Sequence, residues 1–277
     1  MPAVYRGTVT GYNRAALRYR DCWAPVIAPA AVRLLERVDG ALSGRDRFTL
    51  VDIGTGSGTL ALAALERWPG ADVIAIEPAR RLIEVASEAA QLRGGDTRQR
   101  LSLREGAAAK LPLRSATADI AVSSFVIQLV PSRAAALREA FRILKPSGLF
   151  ACVTWQDRDE VFRPMEAFED AVDDLGFAWP DPGPDPRSYA SPETAATEFR
   201  RAGFQHVDAR QEWLEHRYTP ESYLATLEGW LADDVFEPLS EVDRGRLRVA
   251  TLDRLRRLPA DALTWRAPLV SVVGARR

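Results

Sequence analysis

Asp52 stands at the end of an apolar run and is followed at once by three glycines one residue apart, Gly54, Gly56 and Gly58. A strand that gives way to a glycine-rich turn and then a helix makes an anion or nucleotide cradle. Glycine lets backbone N–H groups come close to a ligand, and the helix start adds a partial positive charge. The spacing narrows the choice. A dinucleotide fingerprint, G-x-G-x-x-G, would place its third glycine where this chain has Thr59, and no Gly-Lys-Ser/Thr follows to make a phosphate loop. A carboxylate two residues before the first glycine is badly placed for a phosphate and well placed for a cationic group. The next apolar run ends in Glu77. A carboxylate at such an edge accepts hydrogen bonds from both hydroxyls of a ribose. NAD sites use the same device, so Glu77 alone does not discriminate, whereas Asp52 with the tight glycine spacing does.

These residues need a sheet to hold them. From residue 48 the pattern alternates, with expected strands at 48–53, 72–77, 101–104, 119–124 and 149–155. Between them lie expected helices. After the turn, Leu60, Leu62, Ala63, Leu65 and Trp68 suit one; Leu82, Ile83, Ala86, Ala89 and Ala90 mark a second over 79–93; Ala136, Leu137, Ala140, Phe141 and Leu144 mark a third over 132–144, with Ser132 as N-cap. Such alternation predicts an α/β, Rossmann-like, mostly parallel sheet with helices on both faces, with ligands at the carboxyl ends of the strands. After Trp155 the texture changes. Phe162, Met165, Phe168, Val172 and Leu175 predict a helix, and the Pro- and Gly-rich stretch 179–186 reads as a stiff surface loop or the rim of a substrate mouth. A helix over 192–202 is bounded by Ser191, Pro192 and Gly203. Residues 204–217 read as extended, Thr219-Pro220 opens a further helix, Leu239, Val242, Val249, Leu252 and Leu255 give 239–257 an apolar face, and the chain ends in a strand. The expectation is a single domain over 1–277, with its core in 40–155, 190–217 and 264–277, an N-terminal lid segment over 1–39 and a helical insertion over 218–262.

Composition bounds the partners. The chain has 277 residues, 47% of them hydrophobic, and a formal net charge of −1, which argues against nucleic acid or an anionic membrane as partner. No run of about 18 apolar residues predicts a membrane span, and the first residues lack the apolar stretch of a signal peptide. Cys22 and Cys152 are isolated, with neither a disulfide framework nor metal spacing, so a reduced, cytoplasmic setting and no metal are expected. Oligomers remain possible.

The donor set fits S-adenosylmethionine, which carries a sulfonium and an ammonium and no phosphate. At this point the sequence resembles the class I S-adenosylmethionine-dependent methyltransferases, in the branch of the ubiquinone/menaquinone C-methyltransferases and many small-molecule methyltransferases. The stretches LVDIGTGSG, VIAIEPA, AAAKLPLRSATADIAVSSFVIQLVP and FRILKPSGLF carry the resemblance, in family order over residues 48–155, and FRRAGFQHV resembles the junction before the family's sixth strand. The resemblance implies a seven-stranded sheet with an antiparallel last strand and the cofactor over strands one to four. It places Asp52, Gly54 and Gly56 at the methionine end, with Thr55 and Gly58 in the same turn, Glu77 on the ribose and Pro78 near the adenine. It brings Gly106, Ala107 and Ala108 to the adenine edge, and adds Ser123 and Tyr19 to the cofactor set. Where the family commonly has an Asp that accepts from the adenine amino group, this chain has Ala107; one such bond is worth about 0.5–1.5 kcal/mol. The N-terminal GYNRAALRYRDCW resembles the family's variable lid, with Tyr12, Tyr19 and Trp23 either closing over the cofactor or packing on the sheet.

Methyl transfer by in-line displacement asks the protein mainly to align nucleophile, methyl and sulfur. A hydroxyl acceptor usually needs a base as well. Of the two histidines, His206 reads as surface and His216 is the candidate to face a pocket, while Gln128 follows the fourth strand, where an acceptor would be oriented. No catalytic residue is assigned. The acceptor is expected to be a small molecule. Two other readings stand beside this one: a protein of the same fold that binds the cofactor or its demethylated product for non-methylating chemistry or regulation, and an NAD-dependent oxidoreductase, disfavoured by the glycine spacing.

Overall fold

The structure, a computed structural model, describes residues 9–42, 44–158, 161–180 and 187–277. Most of the Pro- and Gly-rich stretch 179–186 and the first residues of the expected lid therefore lie outside the described residues. Seven strands form one sheet: β1 (Phe48–Ile53), β2 (Ala71–Glu77), β3 (Leu101–Glu105), β4 (Ala118–Ser124), β5 (Leu144–Trp155), β6 (Gln205–Arg217) and β7 (Thr264–Ala275). Their order is β3-β2-β1-β4-β5-β7-β6. Only β7 runs against the others, antiparallel to both β5 and β6. This is the mostly parallel, seven-stranded α/β sheet that the sequence predicts.

The central strands were legible because a parallel sheet covered on both faces needs unbroken apolar runs. Leu50 to Ile53 of β1 are all buried, as is every residue of β4 from Ala118 to Ser123. Edge strand β6 alternates instead, and carries charge along its exposed side, which discourages pairing with another edge. Strand β5 starts at Leu144, earlier than the sequence suggests. Its first residues pair with β4 only at Ala118, the register shifts before Ile120, and Ser147 has φ +63°. Pro146 and Gly148 thus sit in a bulge, where both residue types belong. The expected caps form: Ser132 accepts from the N–H of Ala135 at 3.2 Å, Ser191 from Thr194 at 3.3 Å, and Thr219 and Ser222 make a reciprocal capping box.

Ahead of β1 the chain runs through helix Val9–Arg18, a π-helical turn Tyr19–Trp23, helix Ala24–Arg33 and short turns to Leu42. Val26, Ile27, Ala30, Leu34, Leu35 and Val38 pack into the main core, so Ala24–Leu42 covers a sheet face. Val9–Trp23 is the part that stands over the glycine turn. Between β6 and β7 lie helix Pro220–Thr226, a second π-helical turn Leu227–Leu231, helices Asp233–Phe236 and Glu241–Leu255, and a 3-10 turn Ala260–Leu263. Helix Arg163–Asp174 joins them through Phe168 stacked on Phe236 at 5.8 Å and an Arg254–Asp174 ion pair. One expected face is corrected here. Val242 and Val249 are exposed, 74% and 62%, while Leu255 is buried as expected, Leu239 and Leu252 pack on the core, and Leu247 and Thr251 fill the inward positions given to the valines. Leu247, Thr251 and Leu255 follow one another at a spacing of four, and Arg248 is held by Glu228 and Glu241.

Candidate functional site

The turn after β1 holds all three glycines at positive φ: Gly54 at +76°, Gly56 at +56° and Gly58 at +88°. Gly54 and Thr55 both donate to the carbonyl of Ile76 on β2, at 2.8 and 3.0 Å, which bends the chain over the neighbouring strand end. The three positions are glycine for different reasons. A Cβ at Gly54 would meet Val126 at 2.3 Å, and one at Gly58 would meet Ala86 of helix Arg80–Arg93 at 3.1 Å, so both are close-packing sites. The three atoms nearest to a Cβ at Gly56 would all belong to the Tyr19 side chain, the first at 3.3 Å. Gly56 therefore faces the N-terminal segment, not the protein core.

Asp52 is fully buried, and neither of its carboxylate oxygens has a hydrogen-bond partner among the described residues; the hydroxyl of buried Thr55 is in the same state. Burial is the main cause that pushes the Asp52 pKa up to about 7. The Glu77 charge adds to it, while the Thr55 hydroxyl and the Ala61 N–H pull the other way without reaching bonding geometry. Glu77, 6% exposed, is better served: Oε2 accepts from the N–H of Gly56 and Oε1 from that of Ala79, both at 3.0 Å. Burial raises its pKa and those two N–H groups oppose the rise. Glu77 thus ties the glycine turn to the end of β2, and half-buried Pro78 follows it in the chain.

Three aromatic rings cover the turn. Tyr19 lies against Gly56 and meets Trp230 at 5.2 Å and Tyr12 at 5.7 Å, and Tyr12 meets Trp230 at 5.7 Å. Burial, with Glu77 and Asp52 close by, raises the Tyr19 pKa, so its hydroxyl stays protonated. The cover is fastened on both sides. Asn13 accepts from the N–H of Arg81 at 2.8 Å, and Arg18 pairs with Asp233 at 3.1 Å and Glu237 at 3.0 Å. The sequence offers Trp230 as part of the apolar face of its helix, suited to a small molecule or to a lid's own core, but does not place it at the glycine turn, because only the fold brings it across more than 200 residues to Tyr19.

The remaining candidates divide. Gly106 donates to the backbone carbonyl of Glu77 at 3.2 Å, which brings Gly106–Ala108 beside the ribose candidate. Ala107 is exposed, its carbonyl accepts from Lys110 at 2.9 Å, and Ala108 is buried. The Ser123 hydroxyl is buried and donates to the carbonyl of Ile53 at 2.8 Å, so it braces the turn from beneath. Gln128 is 4% exposed, donates to the carbonyl of Phe125 at 2.7 Å and bonds the Thr154 hydroxyl. It braces Phe125, which has φ +56°, and each end of its amide is engaged within the fold. His206 is exposed, as expected. His216 lies opposite Trp265 in the β6–β7 ladder with its ring 4.4 Å from that of Tyr218, and burial lowers its pKa. Beside it, Trp265, Trp155, Trp23 and Phe125 form a continuous aromatic wall, with Trp155 at 5.6 Å from Trp265 and 4.5 Å from Phe125. The wall stands at the carboxyl ends of β4 and β5, the edge at which open α/β sheets bind ligands.

The methyltransferase domain family matches residues 51–152. The chain is 32% identical over 185 residues to a ubiquinone/menaquinone biosynthesis C-methyltransferase of Caulobacter sp. (strain K31), covering 62% of this chain and 68% of that protein. It is 29% identical over 164 residues to a demethylmenaquinone methyltransferase of Lactiplantibacillus plantarum, covering 56% and 68%. A malonyl-[acyl-carrier protein] O-methyltransferase of Xylella fastidiosa is 32% identical over 144 residues, 51% of this chain and 45% of that protein, so the chain spans less than half the length of that relative. Among solved structures, the YcgJ protein of Bacillus subtilis superposes with a TM-score of 0.59 at 19% identity, covering 90% of this chain and 98% of that one. The [4+2]-cyclase SpnF superposes with a TM-score of 0.56 at 19% identity, covering 90% and 81%. At that identity these two likenesses speak to the fold alone.

Proposed function

We propose, from the premise that the chain belongs to the class I S-adenosylmethionine-dependent methyltransferases in the ubiquinone/menaquinone C-methyltransferase-like branch, that it transfers a methyl group to a small-molecule acceptor. The observation that carries the reading is Asp52: a buried carboxylate without a partner, beside a turn of three left-handed glycines. A buried charge is stable only when paired, and a cationic ligand on the turn would pair it. The residues fit S-adenosylmethionine. When bound, that cofactor supplies a methyl group on a cationic sulfur that is its own leaving group.

In this reading Asp52 faces the ammonium of the methionine end. Each oxygen of Glu77 keeps one backbone N–H and has a lone pair left for a ribose hydroxyl. Tyr19, Tyr12 and Trp230 make a lid, together with Val9–Trp23 and the insertion. Tyr19 must leave Gly56 for the cofactor to reach the turn, and on its return it excludes water, which strengthens the electrostatics around the reacting atoms. Lids that open and shut belong to the less stable parts of a fold. No group is assigned as general base. His216, kept neutral by burial, is the one histidine placed near the aromatic wall.

A second reading, a cofactor-binding protein with non-methylating chemistry, draws on Ala107, which offers adenine no carboxylate. Thermal unfolding with S-adenosylmethionine, S-adenosylhomocysteine or NAD, followed by assay for S-adenosylhomocysteine release with candidate acceptors, separates the readings, since a ligand that binds only the folded state stabilises it. Stabilisation by both S-adenosyl compounds and not by NAD is expected. Stabilisation by NAD alone, or by none of the three, would sink the proposal.

A further inference from the structure

The glycine turn is shut by the protein's own chain. Tyr19 stands against Gly56, with the Glu77 and Asp52 carboxylates close enough to act on its hydroxyl. The ring makes no hydrogen bond to Asp52, whose oxygens have no partner among the described residues. Something else must therefore keep Tyr19 in place.

The residue before it supplies the hold. Arg18 ends helix Val9–Arg18, and its Nη2 lies 3.1 Å from Asp233 Oδ2 and 3.0 Å from Glu237 Oε1. Asp233 starts helix Asp233–Phe236, just past the π-helical turn that carries Trp230. Its side chain is 1% exposed. An exposed ion pair is worth little, whereas a buried carboxylate that loses its cation is left uncompensated. Arg14 reaches toward Glu237 as well, at 3.9 Å. Further along the same seam Gly229 has no room for a Cβ beside the Cys22 sulfur. The far side of the seam is fixed. Phe236 stacks on Phe168, Arg254 pairs with Asp174, and Leu227, Val235, Leu247 and Leu255 lie in the main core. On its other flank the cover meets helix Arg80–Arg93 through the Asn13 bond and through Ala16, packed among Ala79, Leu82 and Val85. Those two residues precede Tyr19 by six and three positions, and Arg18 adjoins it.

We propose that Arg18 is the latch of a self-closed cofactor site: its ion pairs with Asp233 and Glu237 hold Tyr19 on Gly56 in the free protein, and the cofactor enters at the rate at which that latch opens. Arg18 acts through Tyr19 and is a positioning residue. The assignment rests on the methyltransferase reading for what enters, while the latch itself stands on the ion pairs. A protein whose binding-competent state is a minor one binds with an affinity reduced by that fraction. Weakening the latch enlarges the open fraction, so it speeds entry as well as exit. A residue that merely supported the site would, when lost, speed exit and leave entry unchanged or slower.

The test mixes the full-length protein with S-adenosylhomocysteine in a stopped-flow instrument and follows tryptophan fluorescence. With rising ligand the wild-type rate should level off at the rate of opening. Arg18→Gln should raise that plateau by about threefold to tenfold, and Arg18→Lys, which keeps the charge, should raise it less. Glu237→Gln changes an exposed side chain, so the fold is at little risk, and it should move the plateau in the same direction by a smaller factor; it carries the test if Arg18→Gln does not fold. A wild-type rate with no plateau, or a plateau that these variants leave unchanged or lower, would overturn the proposal. Hydrogen exchange of the ligand-free proteins is the second reading. Residues 9–23 should exchange faster in Arg18→Gln while Pro220–Leu255 keeps its protection. Unchanged exchange over 9–23, or equal quickening of both segments, would overturn the latch as well. If S-adenosylhomocysteine binds to none of the proteins, the methyltransferase reading falls, and hydrogen exchange still decides the latch.

Discussion

Replacing Asp52 by Asn should make the ligand-free protein more stable at pH 8 and a poorer binder of S-adenosylhomocysteine. In the folded chain the Asp52 pKa is pushed from 3.8 up to about 7. At about 1.4 kcal/mol per pKa unit, ionising it at high pH costs the fold up to about 4 kcal/mol. Asparagine avoids that cost but brings an amide with no evident partner, a penalty of about 1–3 kcal/mol, so a net gain of about 1–3 kcal/mol is expected. For a chain of this size each kcal/mol moves Tm by about 2–4 °C. The sign follows from proton binding. Between about pH 4 and pH 7 the folded protein holds a proton at Asp52 that the unfolded chain has lost. Stability therefore falls as pH rises through that window and levels off above it. Glu77 is shifted in the same direction, so part of the slope survives in the variant. Denaturant unfolding of both proteins at pH 5 and pH 8 reads the effect: little difference at pH 5 and a clear gain for Asp52→Asn at pH 8. Calorimetry with S-adenosylhomocysteine should show proton release on binding near pH 7 in the wild type and none from this position in the variant. A variant less stable than the wild type at pH 8, or wild-type stability that is flat from pH 4 to 7, would refute the reasoning.

Gly56→Val puts a branched side chain at φ +56° against Tyr19 and should abolish S-adenosylhomocysteine binding while circular dichroism stays native; unchanged affinity would remove the turn from the site. Ala107→Asp should tighten S-adenosylhomocysteine binding by up to about tenfold, one hydrogen bond, and no change would mean that the adenine lies elsewhere. Trp230→Ala takes away a ring that Tyr19 and Tyr12 both touch, so hydrogen exchange over residues 9–23 should quicken while β1 and β4 stay protected; equal protection in variant and wild type would make the cover fixed structure.

The sheet was readable because burial on both faces leaves unbroken apolar strands, and the glycine turn because three left-handed positions in five residues accept little else. Glu77 could be placed at a strand end from its position after VIAI, but its grip on the Gly56 and Ala79 amides could not, since those bonds exist only once β2 lies beside the turn. Gln128 has the right type and place to meet an acceptor, yet its amide is engaged at one end by the Phe125 carbonyl of its own loop and at the other by the Thr154 hydroxyl of β5. The two π-helical turns have no sequence signature of their own. The aromatic wall is the clearest loss: Trp23, Trp155 and Trp265 come from three distant segments, and nothing in their spacing brings them together. Helix Glu241–Leu255 shows the limit of periodicity, where two exposed valines matched a helical stripe as well as the buried leucines did.

The most direct measurement is a crystal structure of the full chain with S-adenosylhomocysteine. The account predicts the nucleoside over Gly54–Gly58, with the amino group of the methionine end within bonding distance of Asp52, the ribose hydroxyls on Glu77, and Tyr19 displaced from Gly56. A ligand bound elsewhere, or bound with Asp52 still unpartnered and Tyr19 still against Gly56, would contradict it.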